Sequence, residues 1–177
     1  KTIYRSIYGP VVKNDKGYFA FDLGALHDLR APEQWYRMNK ANNWDEFRDA
    51  LTMVAIPGFN IVYADGQDNI YYLGNAKIPD RNPSFDWSKT LPGNTSETLT
   101  SGYHKLEELP QVLNPKSGFV FNTNNSAFSC TSTDENPSYD DYDFTMGYQV
   151  FENNRSMRFL QLVEEKGQIS WADFLEI

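Results

Sequence analysis

The sequence predicts an α+β fold, and three observations lead to that class. Period-two runs of β-branched and aromatic residues come in pairs joined by turn chemistry, at Ile3–Leu23 and at Phe59–Leu73. Apolar residues at helical spacing follow the first pair, from Pro32 to Val54, and return from Arg155 to Glu165. Between these patterned stretches lie long aperiodic segments, 79–110 and 131–143, which read as loops rather than as further elements.

Taken in order, Ile3–Val12 alternates apolar and polar residues, and Gly9-Pro10 interrupts it, which predicts an edge or bulged strand. Lys13–Gly17 is a turn, and Tyr18–Leu23 follows as its hairpin partner. Pro32 suits the first turn of a helix that runs to about Lys40. Asn43 with Glu46 forms a capping-box pattern for a second helix, with Trp44, Phe47, Leu51 and Val54 on one face. Phe59–Ala64 and Ile70–Leu73 flank the turn Asp65–Asn69 and predict a second hairpin. The stretch 79–110 carries four prolines and no long periodicity, so it is expected to be an ordered loop over a surface, of the kind that borders binding sites.

Asn114–Gly118 is turn chemistry, and Phe119-Val120-Phe121 after it predicts a short strand covered on both faces. That strand ends in Asn122, Asn124, Asn125 and Ser126, a cluster of neutral amide donors able to face a developing oxyanion, or equally a polar surface loop. Segment 131–143 is acidic and broken by Pro137, an exposed loop. Its Asp134, Glu135, Asp140, Asp141 and Asp143 could hold a hard cation such as calcium, but they match no EF-hand spacing and fit a solvated loop. Arg155–Glu165 should be a helix with Met157, Leu160 and Val163 inward and Gly167 as its stop. Ser170 and Asp173 make a last capping box ahead of Trp171, Phe174 and Leu175, and the chain stops at Ile177, which reads as a fragment of a longer protein.

The totals exclude several function classes. One domain is the expectation for 177 residues, with aromatics at 15% supplying much of the core. A net charge of −8 and a pI near 4.7 argue against nucleic acid or an anionic membrane as the main partner. Cys130 alone forms no internal disulfide and offers no metal cluster, and the two isolated histidines, His27 and His104, argue against a zinc site. No apolar run approaches the length of a membrane span, and no leader precedes the first strand, so neither a span nor a signal peptide is expected within this chain.

Tyr63-Ala64-Asp65 with Asn69-Ile70, Ile78-Pro79-Asp80-Arg81, Leu109-Pro110, Asn114–Phe119 and Asn122–Ser126 form an ordered set of motifs. That set resembles the penicillin acylase (penicillin amidase) family of N-terminal nucleophile amide hydrolases. Gly9-Pro10-Val11, Arg155 and Ile169–Phe174 fall in the family's order too, so the resemblance covers nearly the whole chain. Gly102-Tyr103-His104 and Leu109–Pro115 bring it nearest to the acyl-homoserine-lactone and long-chain acylase branch. Two departures stand out: Tyr8 occupies a place where relatives commonly have His, and Ala127 one where they commonly have Pro.

The resemblance implies part of an αββα four-layer sandwich, seen as a β-chain fragment that lacks the nucleophile strand. It implies a precursor cut in two, whose second chain begins with a nucleophile acting through its own α-amino group. Asn124 would then donate to the oxyanion, and Arg155 would lie beside the nucleophile's amine and lower its pKa. Apart from the resemblance, Arg155 fits a helix-start arginine paired with a surface carboxylate. The implied partners are the α chain, the N-terminal part of the β chain and a small acylated amine. No cofactor is required, a structural calcium ion has room in the complete protein, and the location implied is periplasmic or secreted. The competing interpretation is a non-catalytic, aromatic-rich ligand-binding domain in which the 79–110 loop makes the contacts and the asparagines supply polarity.

Overall fold

The computed structural model describes residues 2–176; the two ends, Lys1 and Ile177, fall outside them. The chain divides into two compact units, Lys1–Phe59 with Asn75–Leu109 and Tyr142–Gly147, and Asn60–Gly74 with Pro110–Asp141 and Tyr148–Ile177. Its regular elements are β1 (Tyr4–Ser6), β2 (Gly9–Asn14), β3 (Gly17–Ala20), α1 (Ala31–Lys40), α2 (Trp44–Leu51), β4 (Gly58–Ala64), β5 (Ile70–Ala76), β6 (Gln111–Leu113), α3 (Asn154–Lys166) and α4 (Trp171–Glu176). Helices and strands are both present, in two three-stranded sheets ordered β1-β2-β3 and β4-β5-β6.

In the first unit the expected opening strand is two strands. Ser6 pairs with Gly9 and Tyr4 with Val11, so the chain reverses at Ile7-Tyr8, and Gly9-Pro10 begins β2 instead of interrupting a single strand. Glycine is required at that corner: Gly9 has φ +131, and a Cβ there would stand 2.4 Å from the Phe21 carbonyl oxygen. The β2–β3 hairpin forms as expected, with Asn14 opposite Gly17. Helix α1 carries Pro32 in its first turn, and α2 begins at Asn43, whose side-chain oxygen accepts from the Glu46 N–H at 2.9 Å. The return bond from Glu46 goes one residue earlier than a standard box, to the Asn42 N–H at 2.8 Å.

Phe47, Ala50 and Leu51 bury the inner face of α2, whereas Val54 is buried outside the helix at φ 40, because the helix stops at Leu51. The chain leaving α2 is held by Gln34, fully buried in α1. Its side-chain oxygen accepts from the Ala55 and Ile56 N–H groups at 2.6 and 3.0 Å, meeting the donor requirement of a backbone with no helix to serve it. The 79–110 segment is loop punctuated by short 3₁₀ turns, with Pro79 bridged to Tyr103.

In the second unit β5 pairs with β6, Tyr71 opposite Leu113, a strand that the sequence pattern did not announce. The expected strand Phe119–Phe121 does not form. Its one backbone bond runs from the Phe121 N–H to the Cys130 carbonyl at 2.9 Å, and the Phe119 carbonyl is taken by the Thr131 hydroxyl at 2.7 Å. Side chains hold the stretch instead: Phe121 stacks on Phe159 of α3 with centroids 4.5 Å apart, and Val120 packs on the cluster of Tyr72, Ala127 and Cys130.

Helix α3 is capped by Asn153, which accepts from the Arg155 and Ser156 N–H groups, and ends at Gly167, where φ is 66. Leu160 and Val163 are half-buried as expected, but Met157 is 53% exposed, and Ser156, which is buried, and Phe159, which meets Phe121, complete the inner face. The last box forms as expected, with Ser170 and Asp173 each accepting from the other's N–H, and α4 follows. No helix among the described residues is long and apolar enough to cross a membrane.

Candidate active site

The asparagine cluster of the second unit is a tight loop in which the amides divide their work. Asn122 accepts through its side-chain oxygen from the Asn124 N–H at 2.9 Å and from the Asn60 side chain at 3.0 Å. Asn125 is 6% exposed; it accepts from the Thr123 N–H at 2.6 Å and donates to the Ser126 and Ser129 carbonyls. Both amides therefore hold backbone, as buried or turn-forming asparagines do. Ser126 closes the loop from below, donating to the Gln149 carbonyl at 2.6 Å.

Asn124 differs. It is exposed, its backbone is left-handed with φ 60, and among the described residues its carboxamide has no hydrogen-bond partner. Asparagine tolerates that conformation better than most side chains do. The neighbours' bonds thus fix the Asn124 backbone and present its amide outward, the arrangement an oxyanion donor needs: a held frame with an unoccupied N–H.

Arg155 lies in the first turn of α3, exposed, with its backbone N–H on the Asn153 side-chain oxygen at 3.0 Å. Its guanidinium makes no ion pair among the described residues, whereas Arg158 of the same helix meets Glu165 at 3.9 Å. Asn153 connects the two predicted residues. While its oxygen caps α3, its NH2 donates to the Thr123 carbonyl at 3.2 Å, so the helix start and the residue before Asn124 are tied through one side chain. An amide donor and a guanidinium stabilise or tune charge; neither is a nucleophile at neutral pH.

Two residues of this frame escape sequence reasoning, Asn60 and Asn153. The signal for Asn60 was its place as the one amide inside the apolar run Phe59–Ala64; for Asn153 it was a doublet of asparagines ahead of a helical pattern.

Other motif residues are structural. Asp65 accepts from the Gln67 and Asn69 N–H groups at 2.8 and 3.0 Å and from the Asn69 side chain at 2.9 Å, and these bonds, the Asn69 amide foremost, hold its carboxyl down to about 2. Asn69 in turn accepts from Asn114, which also receives the Ile70 N–H at 2.8 Å, so the β4–β5 turn and the start of the 114–118 turn form one knot. The two departures have local roles: the Tyr8 hydroxyl donates to the Thr95 carbonyl at 2.6 Å, and Ala127 is seated on Gly74, where an added Cβ would lie 2.7 Å from its methyl.

In the acidic loop Glu135 receives the Ser117 N–H at 2.8 Å and Asp143 the Thr145 N–H at 2.8 Å, so two of the carboxylates considered for calcium serve backbone donors. No group of three His, Cys, Asp or Glu side chains among the described residues is close enough to hold a metal ion. Burial pushes the Cys130 thiol up to about 12, an inert core thiol.

Comparison with known proteins places the chain in a family. The chain is 32% identical to penicillin G acylase of Escherichia coli over 132 residues, covering 71% of this chain and 15% of that protein. It is 27% identical to the acyl-homoserine lactone acylase PvdQ of Pseudomonas savastanoi pv. phaseolicola over 154 residues, 72% of this chain and 20% of that one. Its fold matches a thermostable penicillin G acylase from Alcaligenes faecalis with a TM-score of 0.78 and 25% identity, over 99% of this chain and 30% of that structure. The chain thus spans a fifth or less of the length of these two curated relatives. The family model for penicillin amidase matches residues 1–177, and the chain belongs to that family.

Proposed function

We propose that this chain is the oxyanion-hole portion of an acylase that hydrolyses a linear amide, releasing a carboxylic acid from an amine such as a β-lactam nucleus or a homoserine lactone. One observation carries the reading: among the described residues, only Asn124 of the clustered asparagines keeps an exposed carboxamide without a hydrogen-bond partner, while Asn122 accepts from its N–H and Asn125 from the N–H of Thr123 before it. Attack on an amide carbonyl moves charge onto oxygen, and the Asn124 NH2 stabilises that charge.

Arg155, set on the capped first turn of α3, acts on the nucleophile's α-amine, which lies in the polypeptide outside this chain. A neighbouring guanidinium disfavours the ammonium and keeps the amine a free base at neutral pH. The chain takes its place in a four-layer sandwich with that polypeptide, in an extracytoplasmic compartment. Large exposed apolar side chains, Ile3, Leu29 and Trp171 among them, fit a surface that packs on further protein.

The test is release of amine from an acylated substrate by this chain alone and by the chain joined to a family polypeptide that supplies the nucleophile. The isolated chain is expected to be inactive and the joined form active. Turnover by the isolated chain that disappears in Asn124→Ala would overturn the assignment.

A further inference from the structure

The first unit holds a second polar feature, remote in sequence from the asparagine loop. A surface cavity of about 610 Å³ lies between the start of the 79–110 loop and the segment 144–147, within the range of small-ligand sites. Its lining is mixed: Phe85, Trp87, Phe144 and Met146 give it apolar surface, and Arg81 lines it beside them. The Arg81 guanidinium is half-buried, lies 5.4 Å from the Trp87 ring centroid and donates through Nη1 to the Thr145 carbonyl at 2.7 Å. Among the described residues it has no carboxylate within ion-pair distance. Asp22, the acid that acts on it through space, already accepts from the Thr100 hydroxyl and is paired with His27.

A guanidinium drawn partly out of water without an anion is an unfavourable arrangement that a ligand would relieve. The walls are also pre-formed: the Trp87 indole N–H donates to the Asn82 carbonyl at 2.8 Å, and Asn82 accepts from the Ser84 N–H at 3.0 Å. Asp86 stands at the rim, tied to Lys89 at 2.7 Å and to Ser88, so its charge is locally balanced.

We infer that the Arg81 cavity binds a carboxylate carried on an apolar or aromatic body, with the guanidinium N–H groups not used by the Thr145 carbonyl as donors and Trp87 and Phe144 against the body. The inference does not depend on the acylase assignment, since none of these residues belongs to the asparagine loop or to α3. A carboxylate of this kind comes either from a free acid or from an acidic side chain of neighbouring polypeptide, and two probes separate these sources.

The experiment titrates the isotope-labelled chain with benzoate, with the neutral isostere benzamide and with the blocked dipeptide N-acetyl-Phe-Asp-amide, following the indole N–H signal of Trp87 by NMR. Saturable binding of benzoate but not benzamide supports a free-acid site. Binding of the dipeptide without benzoate supports an acidic side chain as the natural occupant. In either case Arg81→Met should weaken binding roughly 10- to 100-fold, as loss of a charged hydrogen-bonding partner does. Arg81→Lys, which keeps the charge and loses the fork, should fall between the two. Phe144→Ala, which removes an exposed ring from the cavity wall, provides a second variant should Arg81→Met fail to fold, and it too should weaken binding. No binding of either acid, equal binding of benzamide, or equal affinity in folded Arg81→Lys and Phe144→Ala chains would overturn the inference.

Discussion

If Asn124 donates to the oxyanion as proposed, replacing it separates chemistry from folding. The Asn124 carboxamide is exposed and has no partner among the described residues, so its removal breaks no internal hydrogen bond. The backbone at φ 60 is another matter, because alanine pays a steric cost there of about 1 kcal/mol. In a domain of this size that lowers Tm by about 2–4 °C. Glycine accepts a positive φ without this strain. Loss of one oxyanion donor is expected to lower kcat by roughly 10²–10³, about 2.7–4 kcal/mol of transition-state stabilisation. The assay is kcat for release of amine by the assembled acylase, with Tm measured on the same samples. Asn124→Ala should lose activity and a little stability; Asn124→Gly should lose the same activity and keep its stability. An active Asn124→Gly enzyme, or an activity loss that tracks Tm across both variants, would refute the oxyanion role.

Arg155→Leu in the assembled enzyme should raise the pKa of the nucleophile's amine, moving the acidic limb of the kcat/KM profile to higher pH, and Arg155→Lys should restore much of it; pH–rate curves of the three forms check this. Asn125→Ala should instead destabilise the chain by about 2–4 kcal/mol by denaturant unfolding, because a buried amide with partners at both ends leaves backbone groups unsatisfied. Gly74→Ala should destabilise by clash with the Ala127 methyl, and pairing it with Ala127→Gly should recover much of the loss in a double-mutant cycle. The Asp65 carboxyl titrates at about 2 in the folded chain, below its ordinary value near 3.9 when unfolded. Its stabilising bonds are therefore fully present above about pH 4 and lost as pH falls towards 2, and Asp65→Asn should flatten the acid limb of a stability profile in that window.

The elements whose signals are local were legible in the sequence. Asn43 and Glu46, Ser170 and Asp173, and Gly167 mark helix ends through bonds to residues three or four positions away, and the structure contains those caps. The turn Asp65–Asn69 was equally plain, because its carboxylate accepts from the turn's own backbone N–H groups and from the Asn69 side chain. Elements that depend on distant partners were not legible. Phe119–Phe121 has strand composition, but a strand needs a neighbour, and this stretch is held by Phe159 and Thr131. Gln111–Leu113 has a modest pattern and becomes a strand because Tyr71–Leu73 pairs with it. The exposure of Met157 beside the half-buried Leu160 and Val163 goes with the Phe121–Phe159 stack, a contact between residues 38 positions apart by their numbers.

The candidate site shows the same division. Asn124 and Arg155 came to notice through motif order, but the division of roles among the asparagines could not, since it is set by Asn60 and Asn153 reaching in from β4 and from the start of α3. The Arg81 cavity was foreshadowed only by the aperiodic, proline-rich character of its loop. Its chemistry depends on Phe144 and Thr145, more than 50 residues further along the chain.

The central claim is geometric, and a structure of the assembled acylase with a tetrahedral transition-state analogue on its nucleophile tests it most directly. The account predicts the Asn124 side-chain nitrogen within about 2.7–3.1 Å of the analogue's oxyanion oxygen, with the backbone still left-handed as it is here. An analogue bound at the nucleophile with its oxyanion served by other donors, and the Asn124 amide turned to solvent, would contradict it.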